Sequence, residues 1–306
     1  MTRVPMLAAV AALSLLAAGP SRAAGTDPNR LFAESRLVVL DRISVEVVGQ
    51  GQDIVLIPGL ASSRETWKAT AERLKGRYRL HLVQVAGFAG EPARANAAGE
   101  VVEPTEEAID AYIRQQKLAP AVVIGHSLGG TMILMLAERH PADLKKAMVV
   151  DALPFYGMTM AGALATPASL QAGAARARDQ IAAATDDQYR ASSAQQMMGM
   201  ASDPERRKTI GGWGLASDRS VIARALYDDL QTDLRPGLAK IAAPIVLLFP
   251  DYTPAQAPPG AMAQFYPPAF AAAPTVKPVQ VEHSLHFIMF DQPGAFDRAV
   301  DGFLAP

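Results

Sequence analysis

The stretch from Ala121 to Leu134, AVVIGHSLGGTMIL, constrains this chain more than any other. An apolar, β-favouring run stops at Gly125. His126 and Ser127 follow, and Gly129 and Gly130 then lead into a second apolar run that reads as a helix. The centre fits G-x-S-x-G, the nucleophile-elbow pattern, which holds a serine on a sharp strand-to-helix turn. The spacing has a physical reason. Gly125 and Gly129 lack a Cβ, so strand and helix can approach closely around a strained serine backbone. The serine hydroxyl then stands above a sheet edge, at a helix N-terminus whose partial positive charge favours developing negative charge.

With 306 residues, half of them apolar, the chain is long enough for one large domain with an inserted subdomain. The formal net charge of −1 gives no reason to expect nucleic acid or an anionic membrane surface as partner. Residues 1–24 read as a secretory signal peptide: Arg3, an apolar run from Met6 to Ala18, and Ser21-Arg22-Ala23 as a cleavage site. The run of about 13 residues is short against the ~20 needed to span a bilayer, so no stable membrane span is expected in the mature chain. There is no cysteine, and hence no disulfide framework or cysteine-linked lipid. A periplasmic or secreted protein, cut near Ala23, is expected.

Strand-like runs are Leu37–Leu40, Ile43–Val48, which alternates as a half-exposed strand would, Ile54–Ile57, Tyr78–Val85, the run before Gly125, Lys146–Val150, Pro244–Phe249 and Val276–Val281. Helical segments separate them from residue 54 onward: 64–75, 105–117 with Glu106 and Glu107 in its first turn, 128–139, and a last helix over 293–304. Phe265–Ala273 reads as a short helix broken by Pro267-Pro268. Alternating strands and helices predict an α/β fold with a mostly parallel central sheet flanked by helices. Gly59, Gly87, Ser127 and Asp151 all fall at carboxyl ends of strands, where such sheets place function. Residues 154–240 hold no strand-like run and read as an inserted helical cap. The core is then 25–153 with 241–306. Phe155, Met158 and Trp213 are candidates for an apolar substrate pocket.

A serine nucleophile needs a base, and the base an orienting carboxylate. Of five histidines, His126 is expected to point to the other side of the elbow, His81 lies within a strand and His140 at a helix end. His283 and His286 remain, both after the last strand. The chain resembles the α/β-hydrolase superfamily of the capped kind across nearly all of residues 36–304. The resemblance rests on Pro58-Gly59-Leu60, Gly87-Phe88, the Gly125–Gly129 elbow and His286-Phe287-Ile288-Met289-Phe290-Asp291-Gln292-Pro293. It implies His286 as base and the backbone N–H groups of Leu60 and Leu128 as an oxyanion hole, with Pro58-Gly59 standing where many relatives have His-Gly. The family usually places its acid after the strand that follows the cap. Asp251 stands near that position, in a shortened motif, and is the first choice; Asp151, one strand earlier, is the alternative.

The expected activity is that of an exported serine hydrolase, a carboxylesterase type, cleaving an ester or related acyl bond through an acyl-enzyme on Ser127. The substrate would be a small acyl molecule with an apolar portion. A lactonase, an aminopeptidase-like amidase, a cofactor-free peroxidase-like activity and a non-catalytic hydrolase-like binding protein stay open. No cofactor is called for, and the histidines lack metal-ligand spacing.

Overall fold

The computed structural model describes residues 30–252 and 257–305, so the expected signal peptide lies outside the described residues. Their strands are β1 (Arg36–Val39), β2 (Ile43–Gly49), β3 (Gln52–Ile57), β4 (Tyr78–Val85), β5 (Ala121–His126), β6 (Leu144–Val150), β7 (Ile245–Pro250) and β8 (Val276–Val281). They form one sheet in the order β1-β2-β4-β3-β5-β6-β7-β8. The β1–β2 and β2–β4 pairs are antiparallel, and every later pair is parallel. The fold is the expected α/β one.

The helices are α1 (Lys68–Leu74), α2 (Val102–Gln115), α3 (Leu128–Arg139), α4 (Met158–Ala161), α5 (Pro167–Ala183), α6 (Asp186–Met197), α7 (Pro204–Ala216), α8 (Arg219–Gln231), α9 (Ala261–Ala269), α10 (Ile288–Asp291) and α11 (Pro293–Leu304). The segment between β6 and β7 is helical without a strand, α4 to α8. Two buried apolar clusters cover opposite sheet faces. Val55, Val123 and Val149 belong to one, and their neighbours Ile54, Val122 and Met148 to the other. Continuous apolar runs are what a parallel strand covered on both faces requires.

Three local expectations are corrected. The first is β2, which is buried from Ile43 to Val48 rather than half exposed. Its polar residues face partners: Glu46 accepts from the backbone of Leu31 and Phe32 and from the Ser35 hydroxyl, and Arg64 lies 3.7 Å away. The second is α9, which runs through Pro267 and Pro268. Both prolines fall in its last turn, and the helix ends at Ala269 directly after them. The third is α2, which starts at Val102, earlier than expected. Asp228 Oδ2 accepts the N–H groups of Val101 and Val102 at 2.7 and 3.2 Å and extends the helix start.

That earlier start moves Glu106 off the first turn, and its side chain becomes buried, 1% exposed, with neither oxygen hydrogen-bonded. Burial, with the Glu107 carboxylate beside it, pushes its pKa up to about 8. A folded-state pKa above the unfolded one means that the native chain holds the proton more tightly. The group's contribution to stability is therefore complete below the unfolded pKa of ~4.3 and is lost as pH rises through about 8. Glu106→Gln is expected to raise the thermal midpoint at pH 9 by an amount worth on the order of a few kcal/mol and to change it little at pH 5. Thermal unfolding at both values checks this.

Candidate active site

Ser127 joins β5 to α3 with φ 54° and ψ −123°, in the left-handed half of backbone space that a residue with a Cβ avoids. The two glycines of the pattern permit it. A Cβ on Gly125 would lie 2.5 Å from the Gly129 carbonyl oxygen, and one on Gly129 would collide with that of Ile57. The strained turn is held from both sides. Ser127 N–H donates to Val150 O at 2.9 Å, and Ser127 C=O accepts from Gly130 and Thr131. Leu128 is the first residue of α3, so its N–H has no partner within the helix. The turn after β3 lies against the serine: a Cβ on Gly59 would come within 3.0 Å of Ser127 Cβ. Leu60 and Ala61 line the same cavity as Ser127, and Ala61 is itself left-handed, φ 53°.

His286 reaches this edge on the loop between β8 and α10. Its Nδ1–H donates to Asp151 Oδ2 at 2.6 Å. This corrects the first choice of Asp251. Asp251 instead accepts the Ser284 N–H on Oδ1 at 3.2 Å. The two carboxylates follow neighbouring strands. β6 is the hydrogen-bonded neighbour of β5, so Asp151 follows the strand next to Ser127, while Asp251 follows one strand further out. Asp151 is left-handed too, φ 49°, and its N–H donates to Leu248 O.

Two tyrosines complete the carboxylate's shell. Tyr252 donates its hydroxyl to Oδ2 at 3.2 Å, and Tyr266 donates to Oδ1. Burial and then the Asp151 charge hold both phenols well above their usual pKa, so they remain donors. Sequence reasoning missed both. Tyr252 sits next to the expected acid, and only the turn after β7 decides that it, and not Asp251, reaches Asp151. Tyr266 comes from α9, whose extent the prolines concealed.

His126 is also corrected: it faces the site. Its ring centroid lies 4.5 Å from that of His286, and its Nε2–H donates to the His286 carbonyl at 3.0 Å. Burial, reinforced by the neighbouring His286, pushes its pKa well below the usual value, so it is a neutral ring bracing the His286 loop. His283 stays outside, its carbonyl accepting from Gln292.

A cavity of about 490 Å³ opens on these groups, lined by Ser127, Asp151, His286, Leu60 and Thr131 from the sheet side. Tyr156, Thr159, Ile181, Tyr189, Met197, Met200 and Asp229 close it from the helical segment between β6 and β7. The three residues expected to bind substrate stand elsewhere. Phe155 is fully buried in a small cluster with Leu170. Met158 faces a second cavity beside α9. Trp213 packs on Phe287 and Phe290 and donates to Glu65. Large apolar side chains are absorbed into core packing, as their area favours. Two groups with metal-ligand chemistry exist among the described residues, Glu106 with Glu107 and His140, and Asp110 with His140 and Asp143. His140 caps the end of α3 opposite Ser127, and none of these residues lines the cavity.

Residues 54–299 match the model of the alpha/beta hydrolase family. The chain belongs to that family. Within it, this hydrolase-family chain is 34% identical over 117 residues to a pimeloyl-(acyl-carrier protein) methyl ester esterase of Aeromonas hydrophila. That match covers 37% of the chain and 43% of the relative, so it spans less than half the length of that curated protein. Among solved structures, a malate-bound thermophilic esterase from Thermogutta terrifontis superposes with a TM-score of 0.70 at 17% identity, over 88% of this chain and 98% of the other. The enol-lactonase of Burkholderia xenovorans does so at 0.66 and 18%, over 86% and 96%. At these identities the structural likeness speaks to the fold alone. No described helix is long and apolar enough to cross a membrane.

A proton held between His286 Nδ1 and Asp151 gives a low-field proton NMR resonance. Asp151→Asn is expected to abolish or strongly shift it, and Asp251→Asn to leave it in place.

Proposed function

We propose that the chain is an exported serine hydrolase acting on carboxylic esters. The observation that carries this is the His286–Asp151 hydrogen bond at the same sheet edge as the left-handed Ser127. Ser127 Oγ attacks the substrate carbonyl and His286 Nε2 takes its proton. The N–H groups of Leu60 and Leu128 hold the oxyanion, as backbone donors do wherever acyl transfer builds negative charge. Collapse of the tetrahedral intermediate expels the alcohol, which leaves with the proton from His286, and forms an ester on Ser127. Water, deprotonated by His286, then releases the acid. Asp151 keeps the His286 ring in the tautomer that frees Nε2 and stabilises the imidazolium that forms.

The helical segment 154–240 acts as a cap, since its residues close the cavity over Ser127. Export is inferred from the basic, apolar and small-residue order of residues 1–24. An ester substrate is favoured by the partial similarity to a methyl ester esterase. The cavity volume of about 490 Å³ and apolar lining residues such as Ile181, Met197 and Met200 suit a small acyl substrate with an apolar part.

Hydrolysis of a graded series of alkyl esters tests the assignment. Ser127→Ala should abolish turnover, and Asp151→Asn should lower kcat about 10³- to 10⁴-fold by loss of the productive tautomer. Asp251→Asn, whose carboxylate only ties down the Ser284 backbone, should stay within about tenfold of the parent protein. Comparable losses in the two aspartate variants would contradict the roles of both carboxylates.

A further inference from the structure

Helix α8 carries two adjacent aspartates with opposite surroundings. Asp228 is satisfied by two backbone N–H groups at the start of α2. Asp229 follows it, about 100° further round the helix. It lines the catalytic cavity together with Ser127, Thr131, Asp151 and His286. Asp229 is only 6% exposed, the Thr131 hydroxyl lies beside it in the cavity wall, and its Oδ1 has no hydrogen-bond partner. Thr131 lies four residues after Ser127, or about 6 Å along the helix axis. The carboxyl group with its unpartnered oxygen therefore stands a few bonds' length from where an acyl carbonyl must sit.

Leaving a buried carboxylate oxygen unpaired is costly; Glu46 and Asp151 avoid it, whereas Glu106 does not but lies outside the cavity. Glu46 accepts from two backbone groups and a serine, and Asp151 from one histidine and two tyrosines. Asp229 is left incomplete in the one place where a ligand can complete it. The cavity lining contains no lysine or arginine. Its other titratable members are His126, held neutral, His286, Asp151 and four tyrosines. An anionic acyl group would find no counter-charge there, whereas a cation would find one.

We propose that Asp229 forms a cation subsite of the catalytic cavity, receiving a protonated amine that the substrate carries a few bonds from its scissile carbonyl. The subsite rests on the hydrolase assignment, which places the reacting carbonyl at Ser127. Burial raises the Asp229 carboxyl to about 7, so near neutral pH it is only partly ionised and an arriving ammonium draws it into the carboxylate form.

The test compares kcat/KM for pairs of methyl esters matched in length, one member ending in an ammonium and the other in a methyl group. Mirror pairs carry the amine on the alcohol side. At the best length the parent protein should favour the ammonium member about ten- to a hundredfold, as a charge-assisted hydrogen bond implies. Asp229→Asn should bring the ratio close to one. Asp228→Asn, whose carboxylate lies outside the cavity, should retain the preference. A ratio near one at every length in the parent protein, or a preference that survives Asp229→Asn, would overturn the proposal.

Calorimetry on Ser127→Ala with ω-amino amides and their alkyl counterparts makes the same comparison without turnover. Amine binding that depends on Asp229, with no ester hydrolysed by the parent protein, would sustain the subsite and sink the hydrolase assignment. Binding that ignores the amine would sink the subsite whatever the hydrolase does. Thermal midpoints of all variants distinguish loss of recognition from loss of fold.

Discussion

The left-handed backbone of Ser127 is the constraint on which the rest of the site depends. It exists because Gly125 and Gly129 occupy space that no side chain could share, with the Gly129 backbone against Gly125 and the Ile57 carbonyl against Gly129. Any Cβ at either place pushes α3 away from β5 or from the turn after β3. With both glycines present, the serine is lifted to the sheet edge and the N-terminus of α3 faces whatever approaches it. The Pro58–Leu60 turn is brought to within contact distance of its Cβ. Strain of this kind persists only where surrounding structure determines it, and here it is tied down by the Val150 carbonyl and by two N–H groups of α3.

The same sheet edge organises the proton-transfer partners. His286 is held by three kinds of contact: Asp151 at Nδ1, the neutral His126 ring at its backbone carbonyl, and the ring of Phe287 edge-on to its own. Asp151 in turn is fixed by Tyr252 and Tyr266. Orientation therefore passes outward from one carboxylate through hydrogen bonds whose donors have little freedom to leave. The two tyrosine hydroxyls cannot readily ionise beside that charge, which keeps them directed at it.

Much of this is legible in residue order. The eight strands, the elbow and the His286 loop are local patterns, and alternation or apolar runs reveal them. Composition alone delimits Tyr78–Val85 and Val276–Val281 correctly. What stays hidden depends on neighbours distant in the chain. Asp151 and Asp251 both end parallel strands, and only the turns after those strands, which aim one at His286 and the other at the Ser284 backbone, separate them. The inward turn of His126 follows from its contact with a loop 160 positions later. Ile43–Val48 alternates as if half exposed, yet Arg64 and the segment around Leu31 to Ser35 cover its polar side. Phe155 and Trp213 look like pocket residues because they are large and apolar, which is equally what a packed insertion requires. Asp229 gives no signal, being one of two adjacent aspartates on an amphipathic helix.

The central claim is that Ser127 is a nucleophile activated by His286. The most direct measurement is intact-protein mass spectrometry after exposure to a fluorophosphonate, with the adduct mapped by peptide. One adduct is predicted, on Ser127, formed quickly by the parent chain and lost in His286→Ala although that variant remains folded. A folded parent chain that forms no adduct, or one whose labelling is indifferent to His286, would contradict the claim.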